Sequence, residues 1–140
     1  MKIVLDSTVI FSIFYEKDLF HNLAMRIFNQ LMDGKLEVFI PTIAMPEVCG
    51  AMKRETNDHK ISMIVQSQLS GWMENNILSV KELTAERMTY ATEDAIMFGL
   101  KGADAVFVAL ARELDAPLAT FDDGIKKKIK GKIKIFETEE

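Results

Sequence analysis

Cysteine, histidine and long apolar runs are all scarce in this chain of 140 residues, and each shortage excludes a class of protein. The single cysteine, Cys49, rules out an internal disulfide and a multi-cysteine zinc site. The two histidines, His21 and His59, lack ligand-like spacing, which leaves little material for Ser-His-Asp or Cys-His catalysis. No stretch approaches the ~18 consecutive apolar residues of a membrane span, and the N-terminus lacks a signal-peptide pattern. We therefore expect a cytoplasmic protein without a membrane segment.

Carboxylates, by contrast, are plentiful in a chain of otherwise ordinary globular composition. Hydrophobic residues make up 49% and charged residues 27%, and nothing marks a boundary, so we expect one domain spanning residues 1–140. The 21 acidic and 17 basic residues give a net charge of −4, which argues against a sequence-specific DNA binder. A run of lysines follows an acidic pair near the C-terminus: Lys126, Lys127, Lys128, Lys130, Lys132 and Lys134. Such a run suits either a phosphate backbone or a solvated helix face and edge strand.

The order of apolar runs and helical periodicities predicts an α/β fold. Short apolar runs at 2–5, 36–40, 77–80 and 117–120, and an alternating run at 132–136, predict roughly five strands. Helical spacing fills the intervals between them, and the helix that starts at Asp104 is small and apolar nearly all round. Strands separated by helices indicate a mainly parallel sheet flanked by helices.

Two acids directly follow predicted strands, and a third opens the helix expected to be buried. Asp6 comes after the first strand, Asp122 after the fourth, and Asp104 at the start of that helix. In parallel sheets ligands bind beyond the carboxyl ends of the strands, where the strand order reverses. If the strands before Asp6 and Asp122 are neighbours, both side chains open into one crevice. Taken alone, Asp6 is explained equally well as a helix N-cap and Asp104 is explained better as one, so the functional interpretation depends on several acids converging.

Four segments, in order along the chain, resemble the motifs of the PIN-domain nucleases, and most closely those of the VapC-type toxins of prokaryotic toxin–antitoxin pairs. These segments are Val4-Leu5-Asp6-Ser7-Thr8-Val9, Pro46-Glu47-Val48-Cys49-Gly50, Gly102-Ala103-Asp104-Ala105-Val106-Phe107-Val108-Ala109-Leu110-Ala111 and Ala116-Pro117-Leu118-Ala119-Thr120-Phe121-Asp122. The third and fourth carry most of the weight. The resemblance implies a three-layer sandwich and spans essentially the whole chain.

The resemblance also implies a set of site residues. The acids that match the family's metal-binding and catalytic positions are Asp6, Glu47, Asp104 and Asp122. The supporting positions are Ser7, Thr120 and, as a possible outer ligand, Asp123. One departure is Phe121, which stands where smaller residues are frequent and either narrows the pocket or packs against the core.

The implied chemistry is metal-dependent hydrolysis of RNA. Crowded carboxylates repel each other and hold protons, and a divalent cation relieves that repulsion. Oxygen-only ligands suit Mg²⁺ or Mn²⁺ better than zinc, and such a cation activates water. Lys126, Lys127 and Lys130 are candidate contacts to the RNA backbone. The resemblance further implies a small antitoxin protein as partner and a homodimer.

Other interpretations of the same residues stay open. One is a catalytically idle domain that binds RNA or protein, and another is an RNA-processing nuclease that has no antitoxin. A haloacid-dehalogenase-type phosphotransferase would need an acid two residues after Asp6, where this chain has Thr8. A receiver domain would need an aspartate at the end of the third strand, where this chain has Val80 and Lys81.

Overall fold

A computed structural model describes residues 1–138 as an α/β domain. Its four strands are β1 (Lys2–Leu5), β2 (Glu37–Pro41), β3 (Leu78–Lys81) and β4 (Leu118–Ala119). Its seven helices are α1 (Ser7–Phe14), α2 (His21–Met32), α3 (Ala44–Thr56), α4 (His59–Glu74), α5 (Ala85–Phe98), α6 (Gly102–Leu114) and α7 (Asp123–Ile129).

The strands form one parallel sheet in the order β3-β2-β1-β4. The chain builds the sheet outwards from β1 through β2 to β3, and then returns to place β4 on the other side of β1. The strand order therefore reverses between β1 and β4. The expected class, a parallel α/β sheet flanked by helices, is confirmed.

The number of strands expected from the sequence was wrong, because the structure has four strands and not five. Residues 132–136, predicted as the last strand, make only an isolated parallel bridge between Ile135 and Leu118. Leu118 N donates to Lys134 O, and Phe136 N donates to Leu118 O. Since β4 is only two residues long, the ladder has no room to extend.

Helix ends fall where the sequence supplies capping groups. The side chains of Asp6, Asp58 and Thr84 accept hydrogen bonds from backbone amides at the starts of α1, α4 and α5. Gly99 ends α5 with a φ of 65°, in the left-handed region that favours glycine. Pro46 lies in the first turn of α3, where the missing N–H has no intrahelical acceptor to lose.

One part of the core lies between the sheet and α6, as the all-round apolar pattern of that helix predicts. α6 packs against β1, β2 and β4, and its buried residues are Ala105, Phe107, Val108, Ala109, Leu110 and Ala111. This packing fixes the first turn of α6 near the carboxyl ends of the strands. None of the helices within residues 1–138 combines the length and the apolar character that crossing a bilayer requires.

Candidate active site

The candidate site begins at the carboxyl ends of β1 and β4. These strands pair in parallel, with Leu5 opposite Ala119, and Asp6 N donates to Ala119 O over 3.0 Å. Thr120 and Asp122 follow directly on the neighbouring chain segment. The strands that precede Asp6 and Asp122 are therefore neighbours at the point where the strand order reverses, which is the usual place for a ligand crevice in such sheets.

Asp6 is both the N-cap of α1 and a buried acid. It is only 3% exposed, and its Oδ1 accepts from Thr8 N (3.0 Å), Thr8 Oγ1 (2.5 Å) and Val9 N (3.3 Å). Burial raises the pKa of Asp6 from 3.8 to about 6, although hydrogen bonds from Thr120, Thr8 and Val9 lower it in part. The carboxyl group therefore titrates close to neutrality.

Glu47 projects from the first turn of α3 with an unsatisfied oxygen. Its Oε1 is buried and has no hydrogen-bond partner in the part of the chain that the structure describes. Burial raises the pKa of Glu47; the Ser7 hydroxyl lowers it, the charge of Asp104 raises it and Arg54 lowers it. A buried carboxylate oxygen without a donor is costly, so this atom is a candidate for contact with a bound cation.

Asp104 lies in the first turn of α6 and connects the other acids electrostatically. Burial raises its pKa, the charge of Asp122 raises it further, and Lys101 and Lys128 lower it. Asp122 is exposed and caps α7, accepting from Ile125 N over 3.0 Å. Its own N–H donates to Thr120 Oγ1 over 3.1 Å. Asp123, the acid held as a possible outer ligand, is exposed in the first turn of α7.

The four acids are thus joined in pairs and not in a closed cage. Charge links Glu47 to Asp104 and Asp104 to Asp122, while Thr120 connects Asp6 with Asp122 by hydrogen bonds. Across residues 1–138, no set of three or more His, Cys, Asp or Glu side chains is close enough to hold a metal ion. The donors are nevertheless all carboxylate and hydroxyl oxygens, the ligand type that Mg²⁺ and Mn²⁺ prefer.

The cations nearest the acids differ from those singled out in the sequence. Lys101 and Lys128 are the lysines that act on Asp104, and Lys128 is held by a 3.1 Å hydrogen bond from Nζ to Gly99 O. Lys101 immediately precedes the helix that carries Asp104, which is the signal that could have identified it. The three predicted lysines lie in or just after α7, with Lys126 half-buried and Lys127 and Lys130 exposed.

A pocket of about 450 Å³ opens beside Glu47. Its lining residues are Ser7, Thr8, Phe11, Asp18, Phe20, Glu47, Ala51, Arg54 and Phe121. Phe121 takes both of the places considered for it, since its ring lines this pocket and stacks on Phe20, and it also packs against the core. Phe20 and Arg54 could not be singled out from the sequence, because both lie outside the four motif segments that carry the acids.

Comparison with known proteins agrees with this architecture. The family model described as the PIN domain matches residues 3–130. None of the curated proteins matches the chain in sequence. Among solved structures, the chain is similar to VapC20 of Mycobacterium tuberculosis, described as a sarcin-ricin loop cleaving toxin, with a TM-score of 0.72 and 17% identity over 89% of this chain and 93% of that one.

Two further similar structures are named VapBC2 and VapBC-1. VapBC2 from Rickettsia felis, bound to a DNA fragment from its promoter, has a TM-score of 0.67 and 12% identity over 99% of this chain and 100% of that chain. VapBC-1 from nontypeable Haemophilus influenzae has a TM-score of 0.67 and 15% identity over 98% of each chain. At these identities the similarity shows a shared fold.

Proposed function

This chain belongs to the PIN domain family, and we propose that it is a Mg²⁺- or Mn²⁺-dependent endoribonuclease, the toxin of a toxin–antitoxin pair. The observation that carries the proposal is the buried Glu47 Oε1, which lacks a hydrogen-bond donor and lies within electrostatic reach of Asp104. A buried acid of this kind needs either a proton or a cation.

The residues fit a hard divalent cation by their chemistry. Asp6, Asp104 and Asp122 are assigned to hold it, and Glu47 either shares it or positions the attacking water. The chemistry that such a cation supplies is activation of water and neutralisation of charge on the phosphoryl oxygens. Three of these acids have raised pKa values, so each would give up a proton more readily once a positive charge lies beside it.

The chain's own side chains order this site. Thr120 donates to Asp6 and accepts from Asp122 N, so one hydroxyl group sets the relative position of two acids. The Ser7 hydroxyl interacts with Glu47 and lowers the pKa of its carboxyl group, which offsets part of the rise that burial causes. Lys101 and Lys128 place positive charge on the Asp104 side, where the scissile phosphate of an RNA would approach.

RNA as substrate and an antitoxin as partner are also part of the proposal. Support comes from the similar structures, of which one is described as a sarcin-ricin loop cleaving toxin and another as a toxin–antitoxin complex. Unpaired loop nucleotides can be splayed into a pocket, which double-stranded RNA does not allow. A homodimer that resides in the cytoplasm completes the proposal.

The test is cleavage of a structured RNA by the purified protein with Mn²⁺, with Mn²⁺ and excess EDTA, and with an Asp104→Asn variant. We expect cutting only with free Mn²⁺ and a loss of at least about 100-fold in the variant. Asp33→Asn is the matched control, because it removes one carboxylate at an exposed helix end and should leave the rate unchanged.

Each alternative result has a distinct meaning. Cutting that persists in EDTA would refute metal dependence. A folded protein that binds RNA and never cuts it would indicate a catalytically idle domain. For the toxin role, induced expression should arrest growth, and Asp104→Asn should relieve the arrest.

A further inference from the structure

The pocket beside Glu47 has aromatic walls. The rings of Phe20 and Phe121 stack with centroids 4.8 Å apart and planes 16° from parallel, and Phe11 lines the same pocket. All three are half-buried, so part of each ring stays open. Aromatic surface open to a pocket that also contains charged groups is the arrangement on which nucleobases stack.

Both stacked rings are held by backbone hydrogen bonds. Phe20 N donates to Asp18 Oδ2 (3.2 Å), and the same oxygen accepts from Ser12 Oγ (2.6 Å). Phe121 N donates to Thr8 Oγ1 (3.0 Å), and that hydroxyl in turn donates to Asp6. Thr8 therefore links Phe121 to Asp6 by hydrogen bonds. This link positions the stacked rings of Phe20 and Phe121 relative to the candidate active site.

The pocket also carries a cation with unused donors. Arg54 makes no hydrogen bond or ion pair with any residue in the range 1–138, and one of its guanidinium nitrogens lies 3.3 Å from where a Cβ at Gly50 would stand. Its charge reaches Glu47. A planar guanidinium with five donors binds phosphate or the edge of a base. Asp18 lines the same pocket, and its Oδ1 has no donor among the same residues and can accept from the N–H group of a base.

We propose that this pocket binds one unstacked nucleobase of single-stranded RNA, with the base on Phe20 and Phe121 and an adjacent phosphate on Arg54. The inference rests on the proposed ribonuclease function and adds to it a place where substrate is selected. The volume of about 450 Å³ falls within the range of pockets that enclose small ligands.

The test measures fluorescence anisotropy of a labelled single-stranded RNA with the intact protein in EDTA, so that metal-dependent cutting does not occur. An abasic nucleotide is moved along the RNA one position at a time. We expect affinity to fall at least about fivefold at one position and little elsewhere, the lower end of the about 1–3 kcal/mol contributed per stacked base.

Two variants separate the base from the phosphate. Phe121→Leu should weaken binding of the intact RNA by a similar factor and should abolish the response to the abasic nucleotide at that position. Phe121→Tyr, which keeps the ring, should restore both. Arg54→Gln should weaken intact and abasic RNA alike, about tenfold, and lower the slope of log affinity against log salt by about 0.7.

Matched controls lie outside the pocket, Phe28 on α2 and Lys53 beside Arg54 on α3. Phe28→Leu removes a half-buried ring that packs on Trp72, and Lys53→Gln removes the charge next to Arg54 in sequence. Neither should change the abasic scan.

The proposal is overturned if no abasic position matters to the wild-type protein, or if Phe121→Leu weakens intact and abasic RNA equally. Either result would leave a protein segment, and not a nucleobase, as the occupant of the pocket. Since the assay contains no free metal, it is independent of turnover. Failure to cut RNA with Mn²⁺ would refute the proposed function, whereas a flat scan with normal cutting would refute only the base pocket.

Discussion

The substitution Asp6→Asn should make the protein more stable and should abolish the proposed cleavage of RNA. Burial raises the pKa of Asp6 from 3.8 to about 6, so keeping the charged form in the folded state at pH 7 costs about 2.2 × 1.36, or roughly 3 kcal/mol. Asparagine is as good an N-cap, and its amide can still contact Thr8 and Thr120. We expect a gain of roughly 1–3 kcal/mol at pH 7, or about 3–9 °C in Tm.

The sign of the pH dependence follows from the raised pKa. Stability contributed by protonated Asp6 is fully present below pH 3.8 and is lost as pH rises through about 6. The advantage of Asp6→Asn should therefore be about 2 kcal/mol smaller at pH 4.5 than at pH 7. Urea unfolding in EDTA at both pH values measures it, and Asp33→Asn serves as the exposed control, within about 0.5 kcal/mol of wild type. A variant less stable than wild type at pH 7, or a gain in stability that does not depend on pH, would show that burial does not destabilise the charged form of Asp6.

Three further outcomes follow from the same contacts. At sub-saturating Mn²⁺ the rate of RNA cleavage should rise about tenfold from pH 5 to pH 7 as Asp6 ionises, and a flat profile would contradict its role as a metal ligand. Gly50→Ala should stabilise α3 by about 0.5–1 kcal/mol in urea unfolding, because within residues 1–138 the new methyl group approaches, beyond its own helix backbone, just the flexible end of Arg54; a loss of stability would show that this end cannot move. Arg112→Met should cost roughly 2–3 kcal/mol by the same assay, since Asp94 is 4% exposed and loses its 3.2 Å partner; adding Asp94→Asn should restore most of the loss, and an unchanged double variant would refute the pairing.

The order of the elements, and the places of Asp6, Asp104 and Asp122 at their ends, could be predicted because local sequence patterns determine them. Asp6, Asp58 and Thr84 are capping residues at the points where helical periodicity begins, so the helix starts follow from the sequence. The all-round apolar pattern of α6 requires burial, and this fixes the position of Asp104 against the sheet. Local preferences of this kind predict the structure correctly because they agree with the packing of the folded domain.

The parts that could not be predicted depend on contacts between distant segments. Residues 132–136 alternate apolar side chains with lysine as an edge strand does, but the length of β4 determines whether they can pair. Phe20 belongs to the loop before α2 and Phe121 follows β4, and no periodicity connects them. Lys101 and Lys128 converge on Asp104 only because α7 folds back beside the start of α6.

The choice between capping acids and functional acids is resolved differently for different residues. Asp6 and Asp122 both cap helices and both lie at the edge where the strand order reverses, so capping explains how they are tolerated without excluding a second role. Glu47 caps nothing, because the residue at the start of α3 is Ile43 and no side chain bonds there. Its buried Oε1 has no donor, and its nearest charged neighbours include another carboxylate. The Ser7 hydroxyl and the charge of Arg54 act on its carboxylate but leave Oε1 without a donor, so Glu47 is the acid whose position most favours the proposed binding of a cation.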